Sequence, residues 1–263
     1  MKTPFYITTP IYYVNDKPHI GHAYTTILAD VLSRYNRNIG VDTLFLTGLD
    51  EHGQKVQQAA DGKNIDPQSH CDAMAPRFTE LWEMLHISYD HFIRTTENRH
   101  KKVVKDILTT VMDNDDIYEA EYEGLYSVSE ERFITEKEAE SGDFRDIKTL
   151  NEKNYFFKMS KYQSKLIEHI TNNSDFIQPE HRKNEILGFL DQPLNDLCIS
   201  RPKSRLSWGI ELPFDSNYVT YVWFDALINY ISALGYGTDN NNFKKWWPAS
   251  IHLIGKDILT THA

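Results

Sequence analysis

The chain has 263 residues, 40% of them hydrophobic and 25% charged, and carries a formal net charge of −10. That length supports a sizeable core and more than one lobe, within the composition of an ordinary globular protein. The acidic balance argues against a strongly basic nucleic-acid-binding surface, so any such footprint is a local patch or lies elsewhere. No apolar run is long enough to span a bilayer, and Met1-Lys-Thr-Pro-Phe5 opens a strand rather than a signal peptide. Cys71 and Cys198 stand far apart without a CxxC partner, which argues against a disulfide framework and for a reducing, cytoplasmic setting.

Phe5 to Thr9 is aromatic and β-branched, uncharged and stopped by Pro10, the pattern of a short buried strand. Asn15-Asp-Lys-Pro18 is turn chemistry. His19 and His22 then bracket Ile20-Gly21 where a helical period begins, with Ala23, Ile27, Val31 and Tyr35 on one stripe of a helix expected over 23–39. Strand, tight turn and helix start outline a nucleotide-phosphate site, because the first helix amides are unpaired donors and the dipole adds partial positive charge. Two imidazoles three residues apart would aim from that turn at a triphosphate. Gly21, without a side chain, would leave room for a flat purine.

Thr43 to Gly48 reads as a second buried strand, followed by Leu49-Asp-Glu-His-Gly53. Charged residues at the carboxyl end of a parallel strand stand where open α/β sheets bind ligands. Asp50 is the candidate to hold the ammonium of an amino acid; the competing reading is that Asp50 and Glu51 cap the next helix. A helix from Pro67 to Leu85 buries Phe78, Leu81, Trp82 and Leu85, with Pro76 expected to start or kink a segment. A strand over 90–96 and an amphipathic helix over 97–112 complete a β-α alternation that predicts a parallel, Rossmann-like sheet without a GxGxxG fingerprint.

The texture changes near Asn114. Alternation from Ile117 to Ile134 predicts an antiparallel hairpin, and the charged stretch 136–153 reads as solvated. Tyr155-Phe-Phe157 returns to strand, and helices follow around Tyr162–Ile170 and Ile177–Phe189. The expected organisation is α/β: 1–114 as the first half of the Rossmann-like domain, 115–219 as an inserted α+β lobe, and 220–263 as the start of the second half. No cysteine lies between Cys71 and Cys198, so the insertion is expected to be zinc-less, and no metal site is assigned. Arg201 supplies either a charge-assisted donor or a plain surface arginine. Tyr218 to Tyr230 reads as a strand passing into a helix, on which Trp223, Ala226, Leu227 and Tyr230 share one face by i, i+3, i+4 and i+7 spacing; such stripes are usually core. Ile251 to Ala263 reads as a buried strand, a glycine turn and a helix start.

The string Thr9-Pro-Ile-Tyr-Tyr-Val-Asn-Asp-Lys-Pro-His-Ile-Gly-His-Ala-Tyr24 resembles the extended His-Ile-Gly-His signature of the class I aminoacyl-tRNA synthetases, in its methionyl branch. Most relatives carry Gly in place of Asp16, a departure confined to a turn. Asp50-Glu-His-Gly53, Val222-Trp-Phe-Asp-Ala226 with Tyr230, and Gly255-Lys-Asp257 extend the resemblance over essentially the whole chain. It implies a catalytic pair, His19 and His22, which with Gly21, Gly255 and Asp257 would face ATP and its Mg²⁺. Asp50, with His52 near it, would hold the amino group of L-methionine. Ile11, Tyr13, Trp223, Ala226, Leu227, Tyr230, Ile258 and His262 would surround the thioether, whose sulfur packs well against ring edges. Arg201 would brace Asp50 or the triphosphate. The implied reaction makes methionyl-adenylate and pyrophosphate, then passes the aminoacyl group to tRNA(Met), with no membrane partner. Lys158-Met-Ser-Lys161 mimics the second class signature, Lys-Met-Ser-Lys-Ser, but its neighbours match the family's connective peptide. The chain is therefore expected to stop before the true lysine loop and any anticodon-binding domain, and to be inactive alone. Two rivals stand beside this reading: another HxGH nucleotidyltransferase, and a module that binds methionine or nucleotide without turnover.

Overall fold

The computed structural model describes residues 2–127, 132–134, 136–142 and 145–263. In chain order, β1 (Phe5–Thr8), β2 (Tyr12–Tyr13), α1 (Ile20–Asn38), β3 (Thr43–Asp50), α2 (Gln54–Asp61), α3 (Pro67–Met84), β4 (His91–Arg94) and α4 (Asn98–Asp113) form the first run. Next come β5 (Ile117–Ser127), β6 (Arg132–Ile134), α5 (Glu136–Glu140), β7 (Ile147–Phe157), α6 (Gln163–Asn172), α7 (Glu180–Leu190), β8 (Leu197–Cys198), β9 (Ser200–Pro202), β10 (Glu211–Leu212) and β11 (Asp215–Thr220). The chain then enters α8 (Val222–Leu227), α9 (Asn229–Ser232), α10 (Asn240–Trp246), β12 (Ile251–His252) and α11 (Leu259–His262).

The first run and β12 build the expected parallel sheet. β1 and β4 pair with opposite edges of β3, both at Leu46, while β2 continues the β1 edge opposite Leu49 and Asp50, and β12 adds beyond β1. β3 is buried along all but its first residue, as a strand covered on both faces must be. The last strand differs from expectation: Ile251 is half-buried and His252 exposed, because β12 stands at the sheet's edge among the described residues.

α1 reverses the expected stripe. Val31 and Tyr35 are 56% and 61% exposed, whereas Thr26, Ala29, Asp30 and Ser33 face the sheet. Small side chains let the helix lie close to β1 and β3. Buried Asp30 is satisfied there by the Ser88 amide and hydroxyl, at 2.7 and 2.6 Å, and by Arg34. α3 likewise continues through Pro76 as one helix instead of starting there. Its buried face, with Cys71, Met74, Ala75, Phe78 and Trp82, outweighs the roughly 3 kcal/mol that an interior proline costs.

Between α4 and α8 the strands are antiparallel. β5 and β7 form a continuous ladder from Ile117↔Phe157 to Ser127↔Ile147, flanked by β6 and β8. The stretch read as solvated thus contains a helix and most of a strand. Its side chains are largely exposed, but the ladder is made by backbone groups, and Lys153 pairs across it with Glu119 at 2.7 Å. A second sheet, β10-β11-β9, packs with α4: Val103, Val104 and Leu108 share a core with Ile117, Tyr155, Ile199, Ile210, Leu212 and Ile228. Lys158 donates to the Asp115 carbonyl, Lys161 pairs with Asp116, and Ser160 donates to Asp196, so the Lys-Met-Ser-Lys segment is tied within this region.

Candidate active site

The carboxyl ends of β1 and β3 and the amino end of α1 open into one cleft of about 770 Å³. His19 is the residue before α1; its Nδ1 accepts the Gly21 N–H at 3.1 Å, and His22 Nδ1 accepts the His19 N–H at 3.2 Å. The two rings stack with centroids 3.7 Å apart. Since each Nδ1 uses its lone pair to accept, each ring carries its proton on Nε2, which leaves two N–H donors beyond the helix start. Burial, then the neighbouring His19 ring, pushes the His22 pKa down to about 4, so the imidazole is neutral at pH 7. Tyr12 braces the same turn by a 2.7 Å hydrogen bond to Thr26 Oγ1 and ring contact with His22 at 4.6 Å. A Cβ at Gly21 would lie 3.0 Å from the His19 ring, so glycine lets the two imidazoles stack.

Asp50 ends β3 beside Tyr13 of β2, and the next carboxylate, Glu51, points the other way. Glu51 is fully buried, paired with Arg94 Nε at 2.6 Å and accepting from the Thr96 hydroxyl. The pair therefore splits: Asp50 lines the cleft and Glu51 anchors the strand end. On the far wall α8 and α9 present Trp223, Ala226, Leu227 and Tyr230. They are two short helices rather than one, yet all four residues face the cleft. The His262 ring meets Trp223 edge-on at 5.7 Å. Its Nδ1–H donates to the Ile258 carbonyl at 2.8 Å, so Nε2 accepts from the Tyr230 hydroxyl at 3.0 Å. The floor is the Gly255-Lys-Asp257 turn, where a Cβ at Gly255 would come within 2.8 Å of the Asp257 carboxylate.

The cleft thus assembles Ile11, Tyr13, His19, Gly21, His22, Asp50, Trp223, Ala226, Leu227, Tyr230, Gly255, Asp257, Ile258 and His262. Two expected residues do not line it. His52 lies behind the wall, bonded through Nδ1 to Asp225 at 2.6 Å. Arg201 is buried, donates to the Ser200 carbonyl at 2.7 Å and stacks over Tyr221 at 4.5 Å. Sequence reasoning passed over Tyr24, Thr25 and Leu28, although their spacing from Gly21 puts them on one helix face, and also Lys55 and Lys256. Among the described residues no group of three or more His, Cys, Asp or Glu gathers as a metal site, and both cysteines are free and buried. Donors at a helix start, a buried carboxylate and an aromatic wall in one cleft suit an anion next to an ammonium next to an apolar, polarizable chain. Among the described residues no helix is long and apolar enough to cross a membrane.

Comparison with known proteins agrees with this geometry. A family model described as tRNA synthetases class I (M) matches residues 5–142 and 141–263. The methionine–tRNA ligase of Fusobacterium nucleatum is 52% identical over 100% of this chain and 42% of its own length. That of Rickettsia conorii is 50% identical over 100% of this chain and 52% of its own. Among solved structures, Mycobacterium tuberculosis methionyl-tRNA synthetase in complex with methionyl-adenylate gives a TM-score of 0.93 at 40% identity, covering 99% of this chain and 53% of that one. Its apo form gives 0.83 at 38% identity, covering 99% and 51%. The chain spans about half the length of the curated relatives it matches.

Proposed function

The chain belongs to the class I tRNA synthetases (M), and from that premise we propose that its cleft activates L-methionine with ATP in the service of a methionine–tRNA ligase. The observation that supports this most is the meeting of the α1 amino end, Asp50 and the Trp223 wall in one cavity. In the reaction a methionine carboxylate oxygen attacks the α-phosphorus of ATP, the bond to pyrophosphate breaks, and methionyl-adenylate remains. The aminoacyl group would then pass to tRNA(Met). No protein nucleophile is needed, so the residues act by positioning and charge stabilisation. His19 and His22 would donate Nε2–H to the phosphate oxygens from the capped start of α1. Asp50 would hold the ammonium, and Trp223, Tyr230, Ile11 and Tyr13 the thioether. Gly255 and Asp257 would face the nucleotide. Mg²⁺ would arrive on the ATP phosphates, and the cytoplasm is the setting that belongs to this reading.

Calorimetry with L-methionine followed by ATP–pyrophosphate exchange tests it. Methionine binding is expected, and where exchange occurs His22→Ala should slow it about 10²–10³-fold, the effect of removing one preorganised donor. An unchanged rate removes His22 from the mechanism, and no methionine binding removes the pocket assignment. Binding without exchange would favour the second reading, a binding unit without turnover. One observation points that way: among the described residues the lysines at the cleft are Lys55 and Lys256, while Lys158 and Lys161 are tied elsewhere.

A further inference from the structure

Behind the aromatic wall a buried row of side chains joins three elements. Asp225 Oδ2 lies 2.6 Å from His52 Nδ1, and its Oδ1 lies 2.6 Å from His100 Nε2. His100 Nδ1 lies 2.8 Å from Ser232 Oγ. His52, His100, Asp225 and Ser232 are all buried. Flanked by two imidazoles, Asp225 is held ionised, with its pKa down to about 2 against the opposing cost of burial; it only accepts, so both facing ring nitrogens carry protons.

Asp225 stands two residues from Trp223 and next to Ala226 on a helix of six residues that has no side-chain cap. Nothing within so short a helix fixes its roll. A carboxylate sealed from water is costly unless both oxygens are bonded, whereas an apolar side chain would pack at no such cost. The two charge-assisted bonds are therefore directional constraints, one to the turn after Asp50 and one to the first turns of α4.

We propose that His100, acting through Asp225, is a positioning residue that holds Trp223 and Ala226 at the right distance from the Asp50 end of β3. It rests on reading the cleft as a methionine site, and it assigns to that site a residue outside its lining.

His100→Phe keeps the ring and removes both nitrogens, while His100→Gln restores an N–H donor near Nε2. Calorimetry on the full chain should find methionine affinity about tenfold weaker in His100→Phe, the size of a lost charge-assisted bond. ATP affinity should stay within about twofold, since the α1 start shares no partner with this row. His100→Gln should regain most of the loss. Equal weakening of both ligands, unchanged methionine affinity in a folded His100→Phe, or no rescue by Gln overturns the inference. If the parent chain binds no methionine, the proposed function falls instead, and the indole N–H resonance of Trp223, assigned with Trp223→Phe, decides. A shift in His100→Phe that Gln reverses supports the positioning role; an unmoved resonance overturns it. Should His100→Phe fail to fold, the isosteric Asp225→Asn is read by the same split between the two ligands.

Discussion

His22 uses one ring nitrogen to close the first turn of α1 and leaves the other for the cleft. Its pKa, pushed down to about 4 mainly by burial, means the folded chain binds that proton less readily than the unfolded chain. Stability from this group is full above about pH 6.5 and is lost as pH falls from there toward 4, because only the unfolded state takes up the proton in that window. A ¹⁵N titration of the ring should show the Nε2–H form at pH 7 and a midpoint near 4; a midpoint near 6.5 would return His22 to an open, solvated turn. The His19/His22 pair was legible in the sequence because both residues belong to one turn of one helix. Asp225 and His100 were not, since their partners lie on separate elements and no spacing rule links them. A hint existed: Asp225 is a lone charge in the apolar run Val222-Trp-Phe-Asp-Ala-Leu-Ile228. A buried polar residue of that kind needs a partner. His52 shows the converse. Its motif pointed toward the amino acid, but β3 has ended at Asp50, and beyond the strand the His52 ring turns to the buried carboxylate of Asp225, where it supports the wall.

At the scale of elements, the sheet depends on the close approach of β3 and β4. Gly48 faces Ile93 so tightly that a Cβ would lie 2.1 Å from the Ile93 carbonyl oxygen and 2.6 Å from its Cγ2. Backbone cannot yield there without breaking the Leu46–Leu49 pairing. Gly48→Ala should therefore cost roughly 3 kcal/mol or prevent folding, measured by urea denaturation of the purified chain; a loss below about 1 kcal/mol would mean the strands can separate freely. Of the parallel sheet and its helices, β1, β3, β4, β12, α1, α3 and α4 were visible from the residue pattern, whereas β2, α2 and the facing of α1 were not. Its apolar residues recur at a helical period, yet the sheet accepts the small side, with Ala29 and Ser33, and leaves Ile20, Tyr24, Val31 and Tyr35 outward. The charged part of β7 before Tyr155 escaped for a different reason: a strand held by an 11-residue backbone ladder needs no apolar alternation to exist. Pro76 escaped because tertiary burial of α3 exceeded a local penalty.

Across the whole molecule, among the described residues, the parallel sheet and the antiparallel region meet at the α4 core, at the α6–α7 cluster against which Leu259 and Ala263 pack, and at a short docked segment around Trp208. Gln57 Oε1 on α2 accepts from the Ser207 and Trp208 amides, both at 3.0 Å, and from the Ser207 hydroxyl at 3.1 Å. The Trp208 carbonyl accepts from the Gly53 N–H at 3.3 Å, and its indole N–H donates to the Glu51 carbonyl. The ring then packs on His52 at 5.3 Å, the same His52 that holds Asp225. Segment and cleft are thus connected through one imidazole, so the antiparallel region bears on the aromatic wall without touching a ligand. Gln57→Leu removes the acceptor of three donors, two of them on exposed Ser207 where water can replace it, and should cost about 0.5–1.5 kcal/mol. Trp208→Ala should cost about 2–4 kcal/mol, less than a fully buried tryptophan because the ring is half-exposed. Because both act on one segment, the double variant should lose less than the sum, with a coupling of about 0.5–1.5 kcal/mol in a urea-denaturation cycle. Strict additivity would show that the backbone of 206–209 is held by other means than Gln57 and the Trp208 ring.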